Sequence, residues 1–236
     1  MTRTSQSTYS TYSGRMRNAF HQQLDLIAEE LTTMAQMVQT AVQQATTALL
    51  TADRTLAEQV ISADPQIDQL QRLVEEQTFD QLARQQPVAS DLRILVATLR
   101  IVTELERMGD LAEHVAKVAR MRYPDIAVPV DLRPTFAEMG ELARRMVGMV
   151  RDNFVGRDVT AAEQLMEMDD RMDALRSSIF RVMLADEWTD GVEAAVDVAL
   201  LGRYYERIAD HSVSTARRVI YLVTGFYPAD DDDSRF

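Results

Sequence analysis

Apolar residues recur near the start of the chain with the step of a helix face. Leu24, Ile27, Leu31, Met34, Val38, Ala41, Ala45 and Ala48 advance by alternating threes and fours. That spacing puts all of them on one side of a long amphipathic helix spanning 18–50. A second helix is predicted from an Asp53 cap to about Gln86. Pro65 interrupts it: either the helix bends there, or a new helix opens with Asp64 as its cap and Pro65 at its first position. Pro87 closes this segment, Ser90 or Asp91 opens a third, and 94–121 is helical up to Tyr123-Pro124. The stretch 124–134 holds three prolines and reads as a linker. A second triplet follows at 136–154, 159–185 and 192–225, broken by the Gly156-Arg157-Asp158 turn and a turn over 186–191. No segment alternates with period two for long enough to make a strand. The expected fold is all-α, six helices in two groups of three.

The flanks differ from this pattern. Residues 1–15 are polar, rich in Ser and Thr and without period, so they are expected to form a disordered extension, with Met16 as an alternative start. The first bundle then covers 16–124, the second 125–229, and an acidic tail 230–236 carries Asp230, Asp231, Asp232 and Asp233.

The two triplets are copies. Glu106-Arg107-Met108-Gly109-Asp110 in the third helix is matched by Glu206-Arg207-Ile208-Ala209-Asp210 in the sixth, 100 residues later. Val96/Val196, Ala116/Ala216 and Lys117/Arg217 keep the same offset. In the second and fifth helices, Asp64 and Asp68 are matched by Asp169 and Asp173 at an offset of 105. A shorter turn in the second half absorbs the difference of five. The chain is therefore read as a tandem duplication of a three-helix bundle.

Each copy carries acidic pairs at i, i+4, which share one helix face. Helices joined by a short turn run antiparallel, and at roughly 1.5 Å per residue Asp110 comes nearly level with Asp68. Each half is thus expected to gather four carboxylates: Asp64, Asp68, Glu106 and Asp110 in the first, Asp169, Asp173, Glu206 and Asp210 in the second. Two like charges about 5 Å apart repel by roughly 3 kcal/mol at an effective dielectric near 20. Arg107 and Arg207 can each offset one charge, and a bound cation would offset more. An all-oxygen donor set suits magnesium, calcium, manganese or iron. The plain alternative is a solvated acidic face, and Asp64 has its own simpler role as the cap before Pro65. Equivalent placement in both copies puts metal on a par with that alternative, and capping alone does not explain the repeat. Gly109 and Ala209 are small where a neighbouring element would approach closely.

Composition narrows the classes. Lys and Arg total 25 against 37 Asp and Glu, a net charge of −12, which excludes a nucleic-acid backbone as partner. With 46 % hydrophobic residues the chain can build a core, and no apolar run approaches a membrane span. No cysteine is present, which excludes disulfides and thiolate metal sites. The sequence has no glycine-rich phosphate loop, no supported Ser-His-Asp order and no HExxH. No Glu precedes a His by three, so the Glu-x-x-His pairs of ferritin-like di-iron proteins are missing. The 13 methionines fall mostly on apolar stripes and read as core filler, and Trp188 reads as a packing anchor in a turn. His114, four residues after Asp110, is a marginal further ligand.

The run Gln86-Pro87-Val88-Ala89-Ser90-Asp91-Leu92-Arg93, followed by the ELERMGD stretch that ends at Asp110, resembles the PhoU family of bacterial phosphate-transport accessory proteins. Met16-Arg17-Asn18-Ala19-Phe20-His21 is similar to that family's usual start, and the resemblance extends over about 16–225. It implies two pseudo-symmetric three-helix bundles and metal clusters on the same eight carboxylates, as iron, manganese, magnesium or zinc. The chain departs from the family at Ala209, where glycine is usual, and at His114 and Ser214, where asparagine is common. The resemblance also implies a cytoplasmic, non-enzymatic regulator, expected as a homodimer. It would link the ATPase subunit of the phosphate ABC transporter to a membrane sensor histidine kinase and hold phosphate-starvation genes off when phosphate is plentiful. The competing class is a carboxylate-bridged metal store or oxidase bundle.

Overall fold

The computed structural model describes residues 5–85, 87–156 and 160–225. Its helices are α1 (Ser5–Thr51), α2 (Arg54–Gln85), α3 (Ser90–Arg122), α4 (Arg133–Gly156), α5 (Thr160–Met183) and α6 (Gly191–Thr224), with one 3-10 turn, Val130–Leu132, before α4. The fold is all-α, in two like groups of three. The acidic tail and the Arg157-Asp158 part of the predicted turn lie outside the described residues.

The first apolar stripe behaves as its spacing requires. Ile27, Leu31, Met34, Val38, Ala45 and Ala48 are buried, and Leu24 and Ala41 pack partly buried against them. Methionines fill the core as expected: Met34, Met108, Met139, Met146 and Met172 are all fully enclosed. Asp53 caps α2, its Oδ1 accepting the Leu56 backbone N–H at 2.9 Å. At the other end of the chain Gly225 takes the left-handed conformation at φ 78° and closes α6 by donating its N–H to the Tyr221 carbonyl.

Two local expectations change, and one open choice is decided. The helix α1 begins at Ser5, so 5–15 is helical backbone and not a disordered extension. No proline stands in that stretch, and extending a helix already nucleated by a buried stripe takes little free energy per residue. Of the two alternatives at Pro65, the structure has the continuous helix: α2 runs through it, and no new helix opens with Asp64 as its cap. Ile67 and Val74 beyond it are buried like Val60 before it, and this packing outweighs one missing backbone hydrogen bond. Pro134 does not close the linker but sits in the first turn of α4, where its lack of an N–H leaves nothing unsatisfied.

The helices α1, α3, α4 and α6 form the centre: α1 packs on α3 and α4, and α6 packs on α3 and α4. The helix α2 flanks this centre against α1 and α3, and α5 flanks it against α4 and α6. One continuous hydrophobic core therefore runs through both repeats. At its middle the Thr46 hydroxyl of α1 meets the Tyr205 hydroxyl of α6 at 2.8 Å, and Gly140 of α4 lies against Thr46. Near one end Arg122 of α3 holds Asp197 and Glu193 of α6. The acidic faces lie between each flanking helix and its central neighbour.

Exposed apolar side chains also follow the duplication. Leu92 and Val96 on α3 are matched by Val192 and Val196 on α6, and Phe79 by Leu184, all solvent-exposed.

Candidate functional site

In the first repeat, α2 and α3 pack together, and Gly109 of α3 faces Ile67 and Asp64 of α2. A Cβ on Gly109 would stand 3.1 Å from Ile67 Cδ1 and 3.7 Å from Asp64 Oδ1. The small residue thus lets α2 bring Asp64 and Asp68 against Asp110. One carboxylate oxygen from each of these three lies within 4.8 Å of the other two, and all three residues are half-buried. Asp64 also borders a hollow of about 180 Å³ walled by Met37, Val60 and Ile67.

Crowding shows in the acidities. The Asp64 carboxyl is raised to about 6, first by burial, then by the charges of Glu113, Asp110 and Asp68, with Lys117 pulling the other way. Glu106 is raised by burial and by Asp110, against the opposing pull of Arg107, with Asp68 and Glu75 adding to the rise. Glu106, one helical turn before Asp110 on α3, thus feels Asp110 and Asp68 as well as Glu75 and stands beside the tight group of three. Glu113 belongs to the site although its spacing did not reveal it. It is held by Lys117, which masks it as an ordinary i, i+4 ion pair. His114 is turned elsewhere: its Nδ1 lies 2.6 Å from the Asp110 backbone carbonyl, and its ring sits 5.4 Å from that of Tyr204.

The cations near this set are few and wet. The Arg107 guanidinium reaches Glu106 at 3.6 Å and Asp110 at 3.4 Å, from a side chain 57 % exposed. Converging hard oxygens, partly desolvated and under-neutralised, fit a divalent or iron-type cation. Asp64, Asp68 and Asp110 would hold it, with Glu106 and Glu113 at the margin. Bound there, the ion would supply positive charge that draws α2 and α3 together.

The second repeat places its carboxylates on the corresponding helices but surrounds them differently. Asp169 and Asp173 are half-buried on α5, and Glu206 is buried on α6. Arg176 Nη1 donates to Glu206 Oε1 at 3.2 Å, and Arg203 Nη1 donates to Glu206 Oε2. Asp210 is exposed as a residue, yet its carboxyl is raised, chiefly by local desolvation. Arg203 opposes that rise, Asp173 adds to it, and His211 and Arg207 oppose it. Among the described residues, Asp169, Asp173, Glu206 and Asp210 do not form a converging group like that of the first repeat.

Between the repeats, His211 Nδ1 lies 2.6 Å from Glu104 Oε2, and Arg218 Nη2 donates to Glu104 Oε1 at 2.7 Å. Trp188 packs partly buried against the core, and its Nε1 donates to the Gly191 carbonyl at 3.0 Å. Among the described residues no helix is long and apolar enough to cross a membrane.

A doubled three-helix bundle with carboxylates between its second and third helices defines the class of protein. The PhoU domain family matches at 31–119 and again at 136–219, once in each repeat. The chain belongs to the PhoU family. It is 46 % identical over 213 residues to the phosphate-specific transport system accessory protein PhoU homolog 2 of Mycobacterium tuberculosis, covering 90 % of this chain and 100 % of that one. It is 30 % identical over 213 residues to the PhoU homolog of Rhizobium meliloti, covering 89 % and 90 % of the two chains. Among solved structures, PhoU from Pseudomonas aeruginosa superposes with a TM-score of 0.78 at 30 % identity, covering 88 % of this chain and all of that one.

Proposed function

We propose that this protein is a regulatory accessory factor of phosphate uptake. It acts in the cytoplasm as an adaptor between the ATPase subunit of a phosphate ABC transporter and a sensor histidine kinase, and it restrains starvation signalling and uptake when phosphate is plentiful. The observation that carries this reading is the end-to-end similarity to relatives named as accessory proteins of phosphate-specific transport, 46 % identical across their whole length. The reading is of a binding protein, a homodimer, rather than an enzyme. The exposed apolar side chains repeated on α3 and α6 support it, because solvent-facing hydrophobics suit a surface that meets other proteins.

Metal at Asp64, Asp68 and Asp110, with Glu106 alongside, is part of the same reading. A cation would tie α2 to α3, one of the helices that carry that surface.

The test is direct binding. Purified protein is titrated against the transporter ATPase subunit and against the cytoplasmic region of the kinase, with phosphate and manganese(II) varied. Saturable binding to at least one is expected, together with constitutive starvation-gene expression when the gene is deleted. Absence of binding to both, with expression unchanged in the deletion strain, overturns the proposal.

A further inference from the structure

Aligning the repeats exposes four substitutions around the carboxylates. Gln71 corresponds to Arg176 and Glu75 to Phe180 at the offset of 105, and Thr103 corresponds to Arg203 and Glu113 to Val213 at the offset of 100. Two acids disappear from the second repeat and two guanidiniums arrive.

The structure shows what each change does. In the first repeat the Gln71 amide merely reaches Glu75 at 3.4 Å, and the Thr103 hydroxyl turns back to the Leu99 carbonyl of its own helix at 3.0 Å. Neither brings charge. In the second repeat the replacements converge on Glu206, whose side chain is 9 % exposed, and both of its oxygens accept from a guanidinium. Arg176 is steadied by Phe180, its guanidinium carbon 5.2 Å from the ring centroid, so the residue replacing Glu75 supports the residue replacing Gln71.

A metal ion at this second set would have to displace both arginines from a buried carboxylate. The ion would have to shed water to replace two charge-assisted hydrogen bonds already made to that carboxylate, and it would face repulsion from the two guanidiniums it pushed aside. Nor does raising the pH release the clamp, since a guanidinium does not deprotonate in a protein.

We infer that the duplication is divided electrostatically: the first repeat takes its counter-cation from solution, whereas the second carries its own, as Arg176 and Arg203, and stays metal-free. This rests on the metal reading of the first repeat given above.

The test is manganese(II) stoichiometry by elemental analysis after dialysis, with thermal unfolding in manganese as a second readout. D64N/D68N should lose all bound manganese and its thermal shift, while E206Q/D210N should keep both. R176Q/R203T restores the first repeat's residues and should raise manganese per chain about twofold. If E206Q/D210N loses a share of the manganese and D64N/D68N retains the rest, both sets are loaded and the inference falls, while the metal reading stands. If the wild-type chain takes up no manganese and shows no thermal shift, the metal reading fails and the inference with it. If R176Q/R203T does not fold, the comparison of the two carboxylate variants still decides.

Discussion

Glu104 on α3 and His211 on α6 meet at 2.6 Å across the boundary between the repeats, with Arg218 taking the second carboxylate oxygen. Burial pushes the Glu104 carboxyl up, but the hydrogen bonds from His211 and Arg218 outweigh it and hold the group below its ordinary range. A depressed carboxylate contributes stability above the ordinary carboxylate range and loses it as the pH falls through the lowered value. E104A should therefore lower stability by about 2 kcal/mol at neutral pH, or ~4–8 °C in Tm for a chain of this size. Acid unfolding curves should show E104Q with a flatter loss of stability on the acid side than wild type. An unchanged curve would mean the bridge contributes nothing to joining the halves.

Gly140 tests the centre of the molecule. A Cβ there would fall well inside 3.0 Å of the Thr46 side chain. Thr46 cannot easily turn away, because it is β-branched, buried, and bonded to both the Val42 carbonyl and Tyr205. Alanine gains about 1 kcal/mol of helix propensity, while overpacking a tight core costs about 1–3 kcal/mol. G140A should be destabilised overall, by up to about 2 kcal/mol, measured by urea unfolding. T46A/G140A should be more stable than the sum of the two single changes.

Much of this was legible in the sequence, and the parts that were not share a cause. The α1 stripe and the repeated acid pairs depend on spacing along one helix, which the chain states directly. Gly109 was legible as a point of close approach because glycine within a helix needs a reason, and Ile67 supplies it. Glu113 was hidden because its i, i+4 lysine offered a sufficient local explanation. The clamp on Glu206 was hidden because Arg176 comes from another helix. Which arginine faces which acid depends on helix rotation, and residue spacing within one helix does not determine it.

Asp64 sets the pH response of the metal-free first repeat. Its carboxyl is raised to about 6 in the folded chain, against an ordinary value of 3.8. The stability it contributes is fully present below the ordinary value and is lost as pH rises through about 6. In the presence of a chelator, the difference in Tm between D64N and wild type should grow in favour of D64N from pH 4 to pH 7. Part of the Asp64 carboxyl is open to solvent, so the change should be modest. A difference that stays flat over this range would show that burial and the neighbouring acids do not raise the Asp64 carboxyl.

Gly109 governs how closely α2 approaches α3. Alanine occupies the equivalent position 209, so G109A should change stability by less than about 1 kcal/mol, its propensity gain offset by contact with Ile67. G109L should cost about 1–3 kcal/mol and weaken manganese binding at Asp64, Asp68 and Asp110 by at least tenfold. Calorimetric titration would show whether affinity follows helix spacing.

Because α1 leans on α4 and α3 on α6, neither triplet keeps its hydrophobic side covered without the other. A protease cut in the loop between Arg122 and Val130 should accordingly leave the two pieces associated through gel filtration, parting only on denaturation. Either piece made by itself would present a bare oily flank to water and clump. The two repeats share one interior, so the chain should melt and assemble as a single body.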